Sequence, residues 1–177
     1  SSCIHSKLPL GQAPVSVSAV VRNLFSEGLI SEDQFLTQSE CAEGGLIRID
    51  LFSNSSGTRA IGCSYRLVGT EGVIEFPAWG KTIQVTRDNG ENISRPVDAD
   101  LAELDGFQRL HLLFRNAVSG AGPVPLSGET AALNLEWGLA AYISSEERRT
   151  IDLPLPPEMA DFCGPIVPET VPATRQD

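Results

Sequence analysis

The chain has two histidines, the side chains best suited to proton transfer near neutral pH, and they lie far apart in the sequence. His5 is a candidate general acid or base, because an imidazole titrates near neutral pH and can take the proton of a hydroxyl being oxidised. A frayed terminal histidine is the alternative. His111 lies beside Gln108 and Arg115 on the polar flank of an expected helix, which favours a solvated or capping role. With no cysteine pair nearby, the histidines predict no metal site.

Trp79 is the candidate for contact with a substrate. It follows Pro77 in an expected loop, where an indole can stack on a sugar ring. Packing at the rim of the fold is the alternative for this side chain. The sequence leaves both roles open.

Four cysteines show neither a C-x-x-C pair nor a metal-like spacing, and four cysteines allow three disulfide pairings. They are Cys3, Cys41, Cys63 and Cys163. Buried free thiols are the simplest interpretation. Two glycosylation sequons, which begin at Asn54 and Asn92, keep a secreted β-rich domain as a weaker alternative.

The composition excludes two classes of partner. The formal net charge is -10 at pH 7 and no cluster of Lys and Arg offsets it, so nucleic acid and anionic lipid surfaces are repelled. No apolar run approaches the roughly 20 residues that a spanning helix requires. We therefore expect no nucleic acid, no membrane and a cytoplasmic location. With 177 residues, 41% of them hydrophobic, the chain can bury a core, and one domain is expected.

The segment from Pro125 to Leu153 predicts the central helix. Ser127 is a good N-cap, since its hydroxyl can accept a bond from a free backbone donor, and Glu129 suits the positive end of the helix dipole. Apolar residues then recur at helical spacing: Ala132, Leu135, Leu139 and Ile143. We expect these residues to face the core. Replacing Leu135 or Leu139 with Ala should then cost about 2–5 kcal/mol of stability.

A second amphipathic helix is expected to begin at Asp98 or Asp100 as the N-cap and to end at Gly120. Its apolar face consists of Leu101, Leu104, Phe107, Leu110, Phe114 and either Ala117 or Val118. The first half of the chain instead alternates polar and apolar residues, which is typical of half-buried strands. The expected strands span residues 15–25, 34–40, 45–52, 58–68, 73–76 and 81–86, and a short strand or extended exit follows at 151–154.

These elements predict an α+β fold. Strands followed by two amphipathic helices favour an open, mainly antiparallel sheet with the helices packed on one face. The other face stays free for dimerisation. Residues 158–177 are rich in proline, so we expect an extended tail after a domain of residues 1–157.

Three segments carry a resemblance to a known family. They are Ala13–Ala19 (APVSVSA), Gly69–Phe76 (GTEGVIEF), and Pro125–Ala131 (PLSGETA) with the helix that continues to Ser145 and the exit Ile151–Pro154. In this order they resemble the C-terminal domain of the Gfo/Idh/MocA family of NAD(P)-dependent oxidoreductases. The resemblance covers roughly residues 11–155. It implies a domain that supplies substrate contacts and, through its open sheet face, subunit contacts.

In that family a separate N-terminal Rossmann domain binds the nicotinamide cofactor. This sequence has no G-x-G-x-x-G motif and no segment like the E-K-P that carries the family's catalytic lysine. We therefore expect this chain alone to bind neither NAD nor NADP, although the resemblance implies one of them for the full-length protein. The family's D-x-x-x-H pattern, whose histidine transfers a proton, is matched only at His5, because Ser1 stands where the aspartate belongs.

The sequence thus predicts the substrate-binding and oligomerisation domain of a Gfo/Idh/MocA-type oxidoreductase, present without its Rossmann domain. By resemblance, the substrate is a sugar, inositol or related polyol and the protein is a homo-oligomer. The chain is a dehydrogenase only if it is joined to a cofactor-binding domain. A catalytically silent binding or scaffold module of the same fold is the alternative from another class.

Overall fold

The computed structural model describes residues 12–24, 32–52, 64–77, 81–96, 104–124 and 127–160. In chain order the elements are β1 (Pro14–Arg22), β2 (Gln34–Cys41), β3 (Leu46–Phe52), β4 (Ser64–Gly69), β5 (Gly72–Pro77), β6 (Thr82–Arg87), β7 (Asn92–Pro96), α1 (Gly106–Val118), α2 (Gly128–Glu147), β8 (Ile151–Asp152) and α3 (Pro157–Ala160). They divide into two compact units. The first comprises residues 1–60 and 128–177, and the second comprises residues 61–127.

The first unit is an antiparallel sheet with the long helix α2 packed on it. Its four strands lie in the order β3-β2-β1-β8. The core cluster consists of Val17, Ala140, Ala141, Ile143, Ile151 and Leu155. Val17 and Val21 are buried, at 0% and 2% exposure, while Val20 on the opposite side of β1 is 49% exposed. One face of β1 therefore carries α2, as the alternating pattern predicts, and the other face is open.

The helix α2 buries a different set of residues from the one that its spacing predicts. Leu135 is 65% exposed, whereas Ile143 is 6% exposed. The buried residues Ala140, Ala141, Ile143, Ser144 and Ser145 all lie in the second half of the helix. The prediction that Leu135 is a buried core leucine is wrong, because the place where α2 crosses β1 decides burial. Leu139 is partly buried and packs against the core cluster.

The second unit contains an antiparallel meander in the order β4-β5-β6-β7. Strands β4, β5 and β6 agree with predicted strands, but the sequence pattern predicts no strand at β7. Ile93 is the only aliphatic residue in β7, so the alternation that marks a strand is missing there. The strand forms because it pairs with β6. Gln84 Nε2 of β6 donates to Ser94 Oγ of β7 at 3.0 Å. The α+β class with open antiparallel sheets is confirmed, and the strands form two sheets.

The helix α1 begins later than the sequence predicts. Asp105 is its N-cap: the carboxylate accepts from Gln108 N at 2.8 Å, and the Gln108 side chain accepts from Asp105 N at 3.0 Å. The prediction of Asp98 or Asp100 as the N-cap is wrong, since this reciprocal pair satisfies two backbone donors at Asp105. The predicted C-terminal end of α1 is confirmed, because Gly120 follows the helix with a φ of 73°, which suits a glycine at this position. No residue of α1 is buried.

Candidate functional site

Both predicted site residues lie outside the described part of the chain. His5, the candidate general acid or base, belongs to residues 1–11, and Trp79, the candidate substrate contact, belongs to residues 78–80. Both roles stay predictions. The described chain begins at Gln12, whose side-chain oxygen accepts from Gly45 N at 3.3 Å. This bond holds Gln12 beside the β2–β3 turn.

A cavity of about 300 Å³ lies in the first unit between the first half of α2 and the beginning of β1. Its apolar wall includes Pro14, Leu133, Trp137 and Pro154, and its polar groups come from Asn134 and Glu136. A concave, mainly apolar surface with a few polar groups is typical of a small-molecule site. Ala13 also lines this cavity.

Hydrogen bonds hold two side chains of the cavity wall. Trp137 Nε1 donates to Ser39 Oγ on β2 at 2.8 Å. Glu136 Oε1 accepts from Leu155 N at 2.8 Å, which ties α2 to the chain after β8. The indole therefore forms a fixed apolar wall, of the kind that packs against the face of a sugar ring. The sequence alone indicates Trp79 and not Trp137, because an aromatic residue within a helical pattern is indistinguishable from a core residue.

Further along α2, Tyr142 is linked to the chain before β2. Its hydroxyl donates to Glu32 Oε1 at 2.6 Å, and its ring lies 6.0 Å from that of Phe35, centroid to centroid. Burial, together with the hydrogen bond and the charge of Glu32, raises the pKa of Tyr142 to about 12. Tyr142 is therefore protonated at neutral pH, and it acts as a donor and not as a base.

Cys41 is a free, buried thiol whose pKa is raised by burial. A protonated thiol is a poor nucleophile and a poor metal ligand. The prediction of a buried free thiol is confirmed for Cys41, whereas Cys3, Cys63 and Cys163 lie outside the described residues. In the described ranges, no group of three or more His, Cys, Asp or Glu residues could hold a metal ion. Nor is any helix in those ranges long and apolar enough to cross a membrane.

A family model decides the relationship of the chain to known proteins. The model of an oxidoreductase family's C-terminal alpha/beta domain, GFO_IDH_MocA_C, matches residues 8–153. The chain belongs to the Gfo/Idh/MocA oxidoreductase family. The resemblance noted in the sequence is thereby confirmed for the C-terminal domain of that family. A comparison with curated proteins finds no significant match.

Solved oxidoreductases share the fold. Aldose-aldose oxidoreductase from Caulobacter crescentus, complexed with glycerol, is 23% identical with a TM-score of 0.63, over 81% of this chain and 42% of that one. An Agrobacterium radiobacter oxidoreductase, in complex with NAD+, L-tartaric acid and magnesium, is 20% identical with a TM-score of 0.62, over 81% and 44%. A candidate myo-inositol dehydrogenase from Sinorhizobium meliloti 1021 is 19% identical with a TM-score of 0.60, over 81% and 44%. The chain thus spans less than half the length of these three structures.

Proposed function

We propose that this chain is the substrate-binding and oligomerisation domain of an NAD(P)-dependent oxidoreductase that acts on a sugar, inositol or related polyol. The family match over residues 8–153 is the observation that carries the proposal. Two of the similar structures are named for aldose and myo-inositol chemistry. Another is described with NAD+, which supports NAD or NADP as the cofactor of the full-length protein.

This chain supplies the substrate side of the reaction and not the cofactor side. The backbone donors that hold a pyrophosphate at a helix N-terminus belong to a Rossmann motif, and this sequence has none. When bound by the full-length protein, the nicotinamide would accept a hydride from the carbon that is oxidised. His5 is our candidate to take the hydroxyl proton in that step.

The cavity beside Trp137 is the surface that we assign to the polyol. The indole offers an apolar wall to the C–H face of a ring, while Asn134 and Glu136 offer hydrogen-bonding groups. Its volume of about 300 Å³ suits a single ring.

The two tryptophans of the chain give a direct test. Each contributes one indole N–H signal to a ¹⁵N correlation spectrum, and a Trp79→Phe variant assigns them. Titration with myo-inositol and with D-glucose should shift the Trp137 signal, and Asn134→Ala should weaken the response. Asn92→Ala changes an exposed asparagine of the second unit and is the matched control. If neither polyol moves either indole signal at tens of millimolar, the assignment of a polyol site is wrong.

For oligomerisation we propose the open face of the first sheet. The strand registers place Ser16, Ser18, Val20, Leu36, Gln38, Glu40, Arg48 and Asp50 on this face. Arg48 and Asp50 pair with each other at 2.9 Å, which leaves little net charge at that point. A face of mixed polarity suits the approach of a second copy across a two-fold axis.

Sedimentation equilibrium tests this interface. We expect a dimer at tens of micromolar that the double variant Val20→Glu with Gln38→Glu dissociates, because like charges would then meet across the axis. Val118→Glu adds a charge at an exposed residue of α1, 73% exposed, and should leave the dimer intact. A monomeric wild-type chain, or a dimer undisturbed by the double variant, would contradict the proposal.

Two further predictions stay open. They are the cytoplasmic location and the limits of the domain, residues 1–157 with a tail of 158–177. Residues 157–160 form the short helix α3, and residues 161–177 lie outside the described part of the chain.

A further inference from the structure

A second cavity of the first unit, of about 420 Å³, lies along β1 beyond the short strand β8. The packing of α2 on β1 brings Arg22 of β1 close to Arg148 and Arg149, which directly follow α2. Ser18, Ser144, Ser145 and Thr150 line it too, and none of its lining residues is acidic. In a chain whose formal net charge is -10, this cavity is a local concentration of positive charge.

Two of the three guanidinium groups are held in place. Arg22 Nη1 donates to Val21 O at 2.7 Å and to Ser145 Oγ at 3.2 Å. Arg149 Nε pairs with Glu147 at 2.6 Å, so one positive charge is balanced beside the cavity. Arg22 and Arg148 have no ion-pair partner among the described residues. About two positive charges therefore remain for a ligand.

The backbone at Arg148 is unusual for this residue type. Its φ is 55°, the left-handed region that favours glycine after a helix. An arginine at this position carries backbone strain that glycine would avoid. Because the backbone conformation alone would favour glycine here, we attribute the presence of arginine to the cavity that Arg148 lines.

The geometry points to a binding site for the phosphoryl group of a small molecule. Guanidinium groups bind phosphate oxygens through paired, charge-assisted hydrogen bonds. The hydroxyls of Ser18 and Thr150 bond each other, with their oxygens 2.7 Å apart, so when Ser18 donates to Thr150, the Thr150 hydroxyl can donate to a further oxygen. The C-terminal end of α2 opposes an anion, but its dipole amounts to only about half a charge. The inference does not depend on the polyol cavity.

The test is titration calorimetry of the full chain with inorganic phosphate at constant ionic strength. We expect one site with a dissociation constant in the millimolar range. Arg22→Gln and Arg148→Gln should each weaken binding by about tenfold, as loss of a charge-assisted contact does. Arg66→Gln is the matched control, because it removes an exposed arginine paired with Glu75 in the second unit and changes the net charge equally.

Three outcomes would overturn the inference. If phosphate does not bind at tens of millimolar, the chain has no such site. If Arg66→Gln weakens binding as much as Arg22→Gln does, phosphate responds only to the net charge of the chain. Citrate that binds more tightly than phosphate assigns the cavity to carboxylates instead. If Arg148→Gln folds poorly, Arg148→Gly serves in its place, since glycine suits the left-handed backbone and still removes the guanidinium group.

Discussion

Ser145 of α2 exchanges two hydrogen bonds with the backbone of Val21 in β1. Val21 N donates to Ser145 Oγ at 2.8 Å, and the hydroxyl lies 3.3 Å from Val21 O, to which it donates. A residue of a neighbouring strand would satisfy the same two backbone groups. Because β8 pairs with β1 only at Ser16 and Val17, the helix hydroxyl stands in for the missing strand.

Ser144 satisfies a backbone group of β1 in the same way. Ala19 N donates to Ser144 Oγ at 2.9 Å, and Ser144 Oγ donates to Arg149 O at 2.7 Å. One hydroxyl thus bridges two backbone groups of β1 and of the turn before β8. The cavity that Arg22, Arg148 and Arg149 line depends on these hydrogen bonds, because they hold the turn before β8 against β1.

Removal of the Ser145 hydroxyl should destabilise the fold. Ser145→Ala leaves the buried N–H of Val21 without a partner, and we expect a loss of about 1–3 kcal/mol in the free energy of unfolding, measured in urea. Ser18→Ala is the control, because the Ser18 hydroxyl bonds Thr150 at an exposed position. A loss in Ser145→Ala no larger than that in Ser18→Ala would show that water replaces the bond.

Two residues of α2 that share one predicted face should respond differently to truncation. Ile143→Ala removes a side chain of the core cluster and should cost about 2–4 kcal/mol. Leu135→Ala removes a side chain that is 65% exposed and should cost less than about 1 kcal/mol. Chemical denaturation of both variants decides the question. Equal losses would mean that Leu135 is covered in the folded protein.

The sequence predicts the helices and most strands because these depend on local spacing. Ser127 and the apolar period place α2, and Gly120 places the end of α1. The buried half of α2 could not be predicted, because it depends on the angle at which the helix crosses β1. Nor could the arginine cavity be predicted, since Arg22 and Arg148 lie far apart in the chain and meet only through pairing of α2 with β1.

Gly72 should tolerate no side chain. Its φ is 144°, and a Cβ at this position would lie 2.2 Å from Thr86 O on the neighbouring strand. Gly72→Ala must therefore move β5 away from β6, and we expect a loss of about 1–3 kcal/mol or more. Gly69→Ala, where the nearest atom would lie at 3.8 Å, is the control at the other end of the same turn. Thermal unfolding of the two variants measures the difference, and similar melting temperatures would contradict the expectation.

Arg148→Gly should stabilise the chain. Glycine adopts the observed φ of 55° without strain, and the relief of about 1–2 kcal/mol exceeds the entropy that glycine loses on folding, which is about 0.5–1 kcal/mol. We expect a net gain of about 0.5–1 kcal/mol in denaturant unfolding. Arg148→Ala removes the same side chain but keeps the strain, so it should show no gain. A gain of equal size in both variants would trace the effect to charge and not to the backbone.

The tyrosine on α2 should make stability fall at alkaline pH. The pKa of Tyr142 is raised to about 12 from 10.0, chiefly by burial. Between these two values the folded chain holds the proton and the unfolded chain has lost it, so the free energy of unfolding decreases as pH rises. Below pH 10 the contribution of Tyr142 is fully present and constant.

Tyr142→Phe should remove this part of the pH dependence. Urea unfolding at a series of pH values between 9 and about 12 should show a shallower fall for the variant than for the wild type. Glu32→Gln is the informative control, since burial is the larger cause of the shift and Glu32 the smaller. It should keep most of the steepness, because the amide oxygen can still accept the hydrogen bond of Tyr142. Equal slopes for wild type and Tyr142→Phe would mean that the Tyr142 hydroxyl titrates alike in the folded and unfolded chains.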